Sequence, residues 1–157
     1  MVKIENFEPY IGQHCETTAT GNLLKHAGLE ISEPMMFGLG EGIGFGIFSF
    51  KGMDAPFIGG RSKPDAVTQT MTQHLHIPCN YRKTRSKKRA WENVAGFIDA
   101  GQPVAVKIDM YYLDYFELEF HFAGHYLTVW GYDDDLVYVV DTGINGANLS
   151  TSRDTFI

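Results

Sequence analysis

Three residues equipped for acyl chemistry stand far apart in the sequence. They are Cys15 in Gly12-Gln13-His14-Cys15-Glu16-Thr17-Thr18, His125 in Gly124-His125-Tyr126-Leu127-Thr128, and Asp141 in Val139-Val140-Asp141-Thr142-Gly143. A cysteine attacks an acyl carbon as its thiolate, and a neighbouring imidazole both supplies that state and later protonates the leaving group. The imidazole must keep one tautomer, which a carboxylate on its other nitrogen enforces. Cys15, His125 and Asp141 would serve as nucleophile, base and orienting carboxylate. Each alone has a plainer reading: Cys15 as a small packing residue, His125 as a satisfied sheet histidine, Asp141 as turn chemistry before Thr142-Gly143. Together they point to chemistry.

Cys15 needs a helix behind it. Ala19, Leu23 and Ala27 recur at helical spacing after Cys15, and Gly28 supplies the stop, so a helix is expected over 15–27. Cys15 then falls in the first turn, where free backbone N–H groups and the helix dipole favour a thiolate. His125 and Asp141 need a hairpin. Residues 126–132 and 136–140 read as strands joined by Asp133-Asp134-Asp135, which puts His125 and Asp141 at the same end of the ladder. The oxyanion formed on attack would meet the Cys15 N–H and a second donor, with Gln13 the candidate. His14 is grouped with Gln13 as a possible substrate contact; as a base it is weaker than His125, because neighbouring side chains at a helix start diverge. His121 and His125, with His14 or Cys15, lack the spacing of a zinc set, so no metal is expected.

The intervening chain is less informative. Residues 2–11 read as an extended lead-in. Ser32-Glu33-Pro34 opens a short helical turn, and glycines at every second position from Gly38 to Gly46 leave one face of an extended segment bare, open to a second backbone or a ligand. A short strand is expected over 47–50, a loop through Pro56 and Gly59-Gly60, and a helix opening at Ser62-Lys63-Pro64-Asp65 and running to about Leu75. Residues 77–84 read as extended, a helix capped by Ser86 stops at Gly101, and 103–109 alternates as a strand. Residues 110–122 crowd six aromatic rings with Asp114, Glu117 and Glu119, either a lid beside His125 or a packed connection. Cys79 reads as a packing residue. Helices early and strands late, without regular alternation, make an α+β fold.

The 157 residues, 44% hydrophobic and 20% charged, suit one soluble domain, and a new helix beginning at 154–157 suggests the N-terminal part of a longer protein. A net charge of −6 argues against general nucleic-acid binding, and no apolar run reaches membrane-spanning length. The N-terminus lacks a signal peptide's apolar run, which places the chain in the cytoplasm. One basic run interrupts the acidity: Arg82, Lys83, Arg85, Lys87, Lys88 and Arg89. It is either a solvated helix entrance or a docking site for an acidic macromolecule, since basic residues are unfavourable at a helix N-terminus.

The Gly12 to Thr18 segment, Asn22-Leu23-Leu24, Gly28, Ser32-Glu33-Pro34 and Phe37-Gly38-Leu39-Gly40, with 124–133 and Val140-Asp141, resemble the N-terminal domain family of butirosin biosynthesis protein H. The late His and Asp strands are shared with papain-like cysteine proteins generally. The resemblance implies a papain-like fold, with a Cys-bearing helix on an antiparallel sheet carrying His and Asp. It implies an acyltransferase that takes an aminoacyl group from the phosphopantetheine thioester of an acyl carrier protein to an amine, with no cofactor of its own. Cys15 would carry the acyl group, His125 would move protons and Asp141 would orient His125. Gln13 departs from the papain pattern, in which the oxyanion glutamine lies several residues before the cysteine. Carrier proteins are acidic, so 82–89 acquires a candidate partner.

Three readings follow. The first is acyl transfer to an amine, the second is hydrolysis of a peptide or amide by the same residues, and the third is a binding module with a dead site. The first two differ in what resolves the acyl-enzyme.

Overall fold

The computed structural model describes residues 1–61 and 63–156. In chain order the elements are β1 (Val2–Lys3), α1 (Cys15–His26), α2 (Glu33–Leu39), β2 (Ile43–Phe48), β3 (Phe57–Arg61), α3 (Ala66–His74) and α4 (Lys87–Asp99). Then follow β4 (Val104–Ile108), a single 3-10 turn (Met110–Tyr112), β5 (His125–Tyr132), β6 (Leu136–Val140), β7 (Leu149–Ser152) and α5 (Arg153–Phe156). The chain divides into two compact units, 1–31 with 80–157, and 32–79.

The larger unit is a five-stranded antiparallel sheet centred on β5. One edge of β5 takes β4 along residues 125–129 and β1 along 131–132; the other takes β6, which in turn takes β7. The pairing of Thr128 with Val140 becomes Gly131 with Tyr138 past a bulge, so the ladder twists locally there. Leu127, Val129, Val137 and Val139 from β5 and β6 pack with Val94 and Ile98 of α4 into the core. α4 begins at Ser86, whose hydroxyl accepts the Arg89 N–H, and ends before Gly101 at φ +75°.

α1 packs against β5, with the Thr128 hydroxyl donating to the Ala19 carbonyl at 3.4 Å. Its burial departs from the expected apolar stripe: Ala27 is exposed and Leu23 half-buried, whereas Leu24 and the polar Glu16, Thr17, Thr18, Thr20 and Asn22 are buried. Threonine hydroxyls here donate to carbonyls three or four residues back, at 3.0 Å for Thr17 and 2.8 Å for Thr18 and Thr20. The helix thereby satisfies its own polar groups and can be surrounded on several sides. Asn22 fastens the lead-in to it, accepting the Tyr10 N–H at 2.9 Å and donating to the Tyr10 carbonyl at 3.0 Å.

In the smaller unit, α2 packs with α3 around buried Met36, Val67 and Met71. β2 and β3 form an antiparallel ribbon. Gly59-Gly60, expected in a loop, are strand residues; a Cβ on Gly60 would stand 3.1 Å from the Gly44 carbonyl, so the bare glycine face admits a second backbone. Pro64 precedes α3 rather than entering it, and the cap is Asp65 in the left-handed region at φ +73°. The expected helix opening at Ser62 and the terminal Ile157 lie outside the described residues. Cys79 is exposed, not packed.

Candidate active site

His14 sets the start of α1. With extended backbone (φ −106°, ψ 130°) it is the N-cap: its Nδ1 accepts the Thr17 N–H at 3.4 Å, and its carbonyl accepts the Thr18 N–H at 2.9 Å. Cys15 is therefore the first helical residue, half-exposed, with its N–H at the positive end of the dipole. The residues just before it are tied to the loop that carries Asp141. The Gly143 N–H donates to the Gly12 carbonyl at 2.7 Å, and a Cβ on Gly143 would lie 2.7 Å from Gln13 Nε2. A side chain at 143 would therefore displace the Gln13 amide from its present position.

His125 heads β5, opposite Ile108 of β4. Its Nε2 donates to both oxygens of Asp141, at 2.9 Å to Oδ1 and 2.8 Å to Oδ2. That leaves Nδ1 for the hydrogen bond His125 shares with the Cys15 side chain. The expected trio is thus in contact through the imidazole. Phe116 meets the ring edge-on, centroids 5.7 Å apart at 85°.

Burial is the strongest single influence on His125 and pulls its pKa down. It is outweighed by the hydrogen bonds to Asp141 and Cys15 and by their charges, which together push the pKa up from 6.5 to about 9. The imidazole therefore holds its proton through neutral pH.

Asp141 is fully buried, and its charge is met by three donors. Besides His125, the Thr142 N–H reaches Oδ1 at 2.7 Å and the Tyr115 hydroxyl reaches Oδ2 at 2.9 Å. Tyr115, Phe116 and Thr142 are the site residues that sequence reasoning did not assign a role; the aromatic crowding of 110–122 signalled the first two, and Thr142 was read only as turn chemistry after Asp141. That segment is closed at its base: Met110 N–H donates to the Phe122 carbonyl at 3.0 Å, and Asp109 accepts from the Tyr111 and Phe122 N–H groups and from His121 Nδ1.

Gln13 is exposed beside Gly143, while His14 spends Nδ1 on capping. The basic residues Arg82, Lys83, Arg85, Lys87, Lys88 and Arg89 are all exposed, before and within the first turn of α4. Arg82 bonds Asn93 at 3.1 Å and lies over the Phe97 ring, and Lys88 pairs with Glu92 at 3.9 Å. Among the described residues no group of three or more His, Cys, Asp and Glu side chains is arranged to hold a metal, and no helix is long and apolar enough to cross a membrane.

The family model of butirosin biosynthesis protein H, N-terminal, matches residues 14–142. This chain belongs to that family. The matched span of this butirosin biosynthesis protein H, N-terminal, family member opens one residue before Cys15 and closes one residue after Asp141. Its fold resembles a crystal structure from Bacillus anthracis titled as a C39-like peptidase, with TM-score 0.68 and 19% identity over 99% of this chain and 89% of that one. The fold is papain-like: a cysteine-bearing helix against an antiparallel sheet that carries histidine and aspartate. No curated protein sequence matches the chain.

Proposed function

We propose that this protein is a cysteine acyltransferase that moves an acyl or aminoacyl group from a carrier-protein thioester to an amine. The observation that carries the reading is the bridge made by His125, bonded to Asp141 through Nε2 and to Cys15 on its other side. The Cys15 thiolate attacks the thioester carbonyl, and the oxyanion is met by the N–H at the start of α1, with Gln13 as the second donor. The carbon–sulfur bond to phosphopantetheine breaks, and the imidazolium of His125 protonates the departing thiol. An amine then attacks acyl-Cys15, His125, now neutral, takes its proton, and the Cys15 thiolate leaves. Each step balances with no metal and no cofactor beyond the pantetheine-linked substrate.

Family membership supports transfer over hydrolysis, and the exposed run at 82–89 offers an acidic carrier a complementary face. Phe116 also lines an open cleft of about 480 Å³ with Tyr112, Leu113 and Leu118 and the polar Tyr111, Asp114 and Thr155, a mixed surface suited to an aminoacyl group. In this reading the chain works in the cytoplasm, with both cysteines as free thiols. Peptide or amide hydrolysis by the same residues is the second reading, favoured by the likeness to a structure titled as a C39-like peptidase.

The two are separated by supplying an acyl-carrier thioester with and without amine acceptors. Amide product that rises with amine concentration supports transfer. Release of free acid at a rate indifferent to amine supports hydrolysis.

A further inference from the structure

Asp141 cannot hold His125 unless something holds Asp141. Its carboxylate lies at the end of β6, buried, and its Oδ2 is shared between His125 Nε2 at 2.8 Å and the Tyr115 hydroxyl at 2.9 Å. The phenol comes from a different part of the chain, the closed segment between β4 and β5. Next to it, Phe116 stands edge-on to the His125 ring. Two consecutive residues thus touch the two members of the pair, one through a hydroxyl oxygen and one through a T-shaped ring contact.

We infer that Tyr115 is a positioning residue: its hydroxyl fixes the Asp141 carboxylate so that His125 presents Nδ1 to Cys15. A buried carboxylate with fewer donors turns to find others, and the imidazole bonded to it turns with it. The geometry also fixes the direction of donation. Burial, then the Asp141 charge and the hydrogen bond to it, hold the phenol proton far more tightly than in free tyrosine, so Tyr115 is the donor and Asp141 the acceptor. The groups facing His125 are then Asp141 with its donors Tyr115 and Thr142 on one side and Cys15 on the other, with Phe116 against the ring. The inference rests on the proposed catalytic role of Cys15 and His125.

Tyr115→Phe keeps the ring among its core neighbours and deletes only the hydroxyl. Alkylation of Cys15 by iodoacetamide at neutral pH should slow about tenfold, and the NMR resonance of the His125 Nε2 proton should broaden through exchange. A tyrosine that merely packs would leave both readings as in the parent, and that result would overturn the inference. Should circular dichroism show the phenylalanine variant unfolded, 3-fluorotyrosine placed at position 115 keeps the shape and strengthens donation. The Nε2 proton should then move upfield, as Asp141 pulls on it less; an unmoved resonance would equally overturn the inference. The parent chain keeps the two ideas apart. If its Cys15 reacts no faster than its Cys79, the catalytic reading fails and takes this role with it; if only the variant comparison is flat, Tyr115 alone is refuted.

Discussion

Asp141 receives the Nε2 proton of His125 on both carboxylate oxygens, at 2.9 and 2.8 Å, in a site where the aspartate has no exposed surface. A bond shared in this way fixes the plane of the imidazole as well as its tautomer. Asp141→Asn presents an amide whose NH₂ group or single carbonyl must face a ring nitrogen that previously met a charge. Acyl transfer should fall about a hundredfold, with thioester affinity little changed. Steady-state kinetics on an acyl-carrier thioester checks this; a loss confined to KM would contradict it.

The raised pKa of His125 makes stability depend on pH. The folded state binds this proton more tightly than the unfolded chain, so the contribution is complete below 6.5 and disappears as pH rises through about 9. Urea midpoints from about pH 6 to about pH 10 should show the parent's advantage over Asp141→Asn narrowing across that window. An advantage that widens with pH would contradict the assignment.

Asn22 is expected to matter for stability well beyond its size. It is fully buried and answers both the N–H and the carbonyl of Tyr10, while donating to the Thr18 carbonyl at 2.8 Å. Gly21 lies beneath the Tyr10 ring, which a Cβ would strike. Asn22→Leu strips partners from the Tyr10 backbone and should cost about 3 kcal/mol in urea unfolding. The same change loosens the segment leading to Gln13 and Cys15, so activity should fall faster than stability.

The hairpin turn offers a contrast among three neighbouring aspartates. Asp133 accepts from the Asp135 and Leu136 N–H groups and from the Tyr138 hydroxyl, which holds its pKa below the usual carboxylate value. Asp134 is exposed in the turn. Asp133→Ala should lower the melting temperature by a few degrees, and Asp134→Ala should leave it nearly unchanged. Equal effects would contradict the assignment of the turn to Asp133.

What the sequence made legible follows from where its signals are local. The β5–β6 hairpin declares itself by alternation and a polar turn, and the start and stop of α1 by Cys15 and Gly28, the latter at φ +83°. His125 and Asp141 were paired because a hairpin fixes which ends coincide. The β3 strand was hidden, since Gly59-Gly60 have poor strand propensity; Gly60 admits the β2 backbone at Gly44, and Gly59 lies against the Phe57 ring. The buried face of α1 was hidden too, because threonine hydroxyls bonded to carbonyls look polar in sequence. Tyr115 could not be singled out within the aromatic 110–122 segment: its partner is 26 residues away across a tertiary contact. No periodicity marks such a meeting.

In the proposed reaction the sulfur of Cys15, paired with His125, takes the acyl group. Intact mass after exposure to an acyl-carrier thioester, followed by peptide mapping, tests it most directly. A single acyl adduct on Cys15 in the parent, absent from Cys15→Ser and slow to form in His125→Ala, is the predicted result. An adduct on Cys79, or one that forms equally fast without His125, would contradict it.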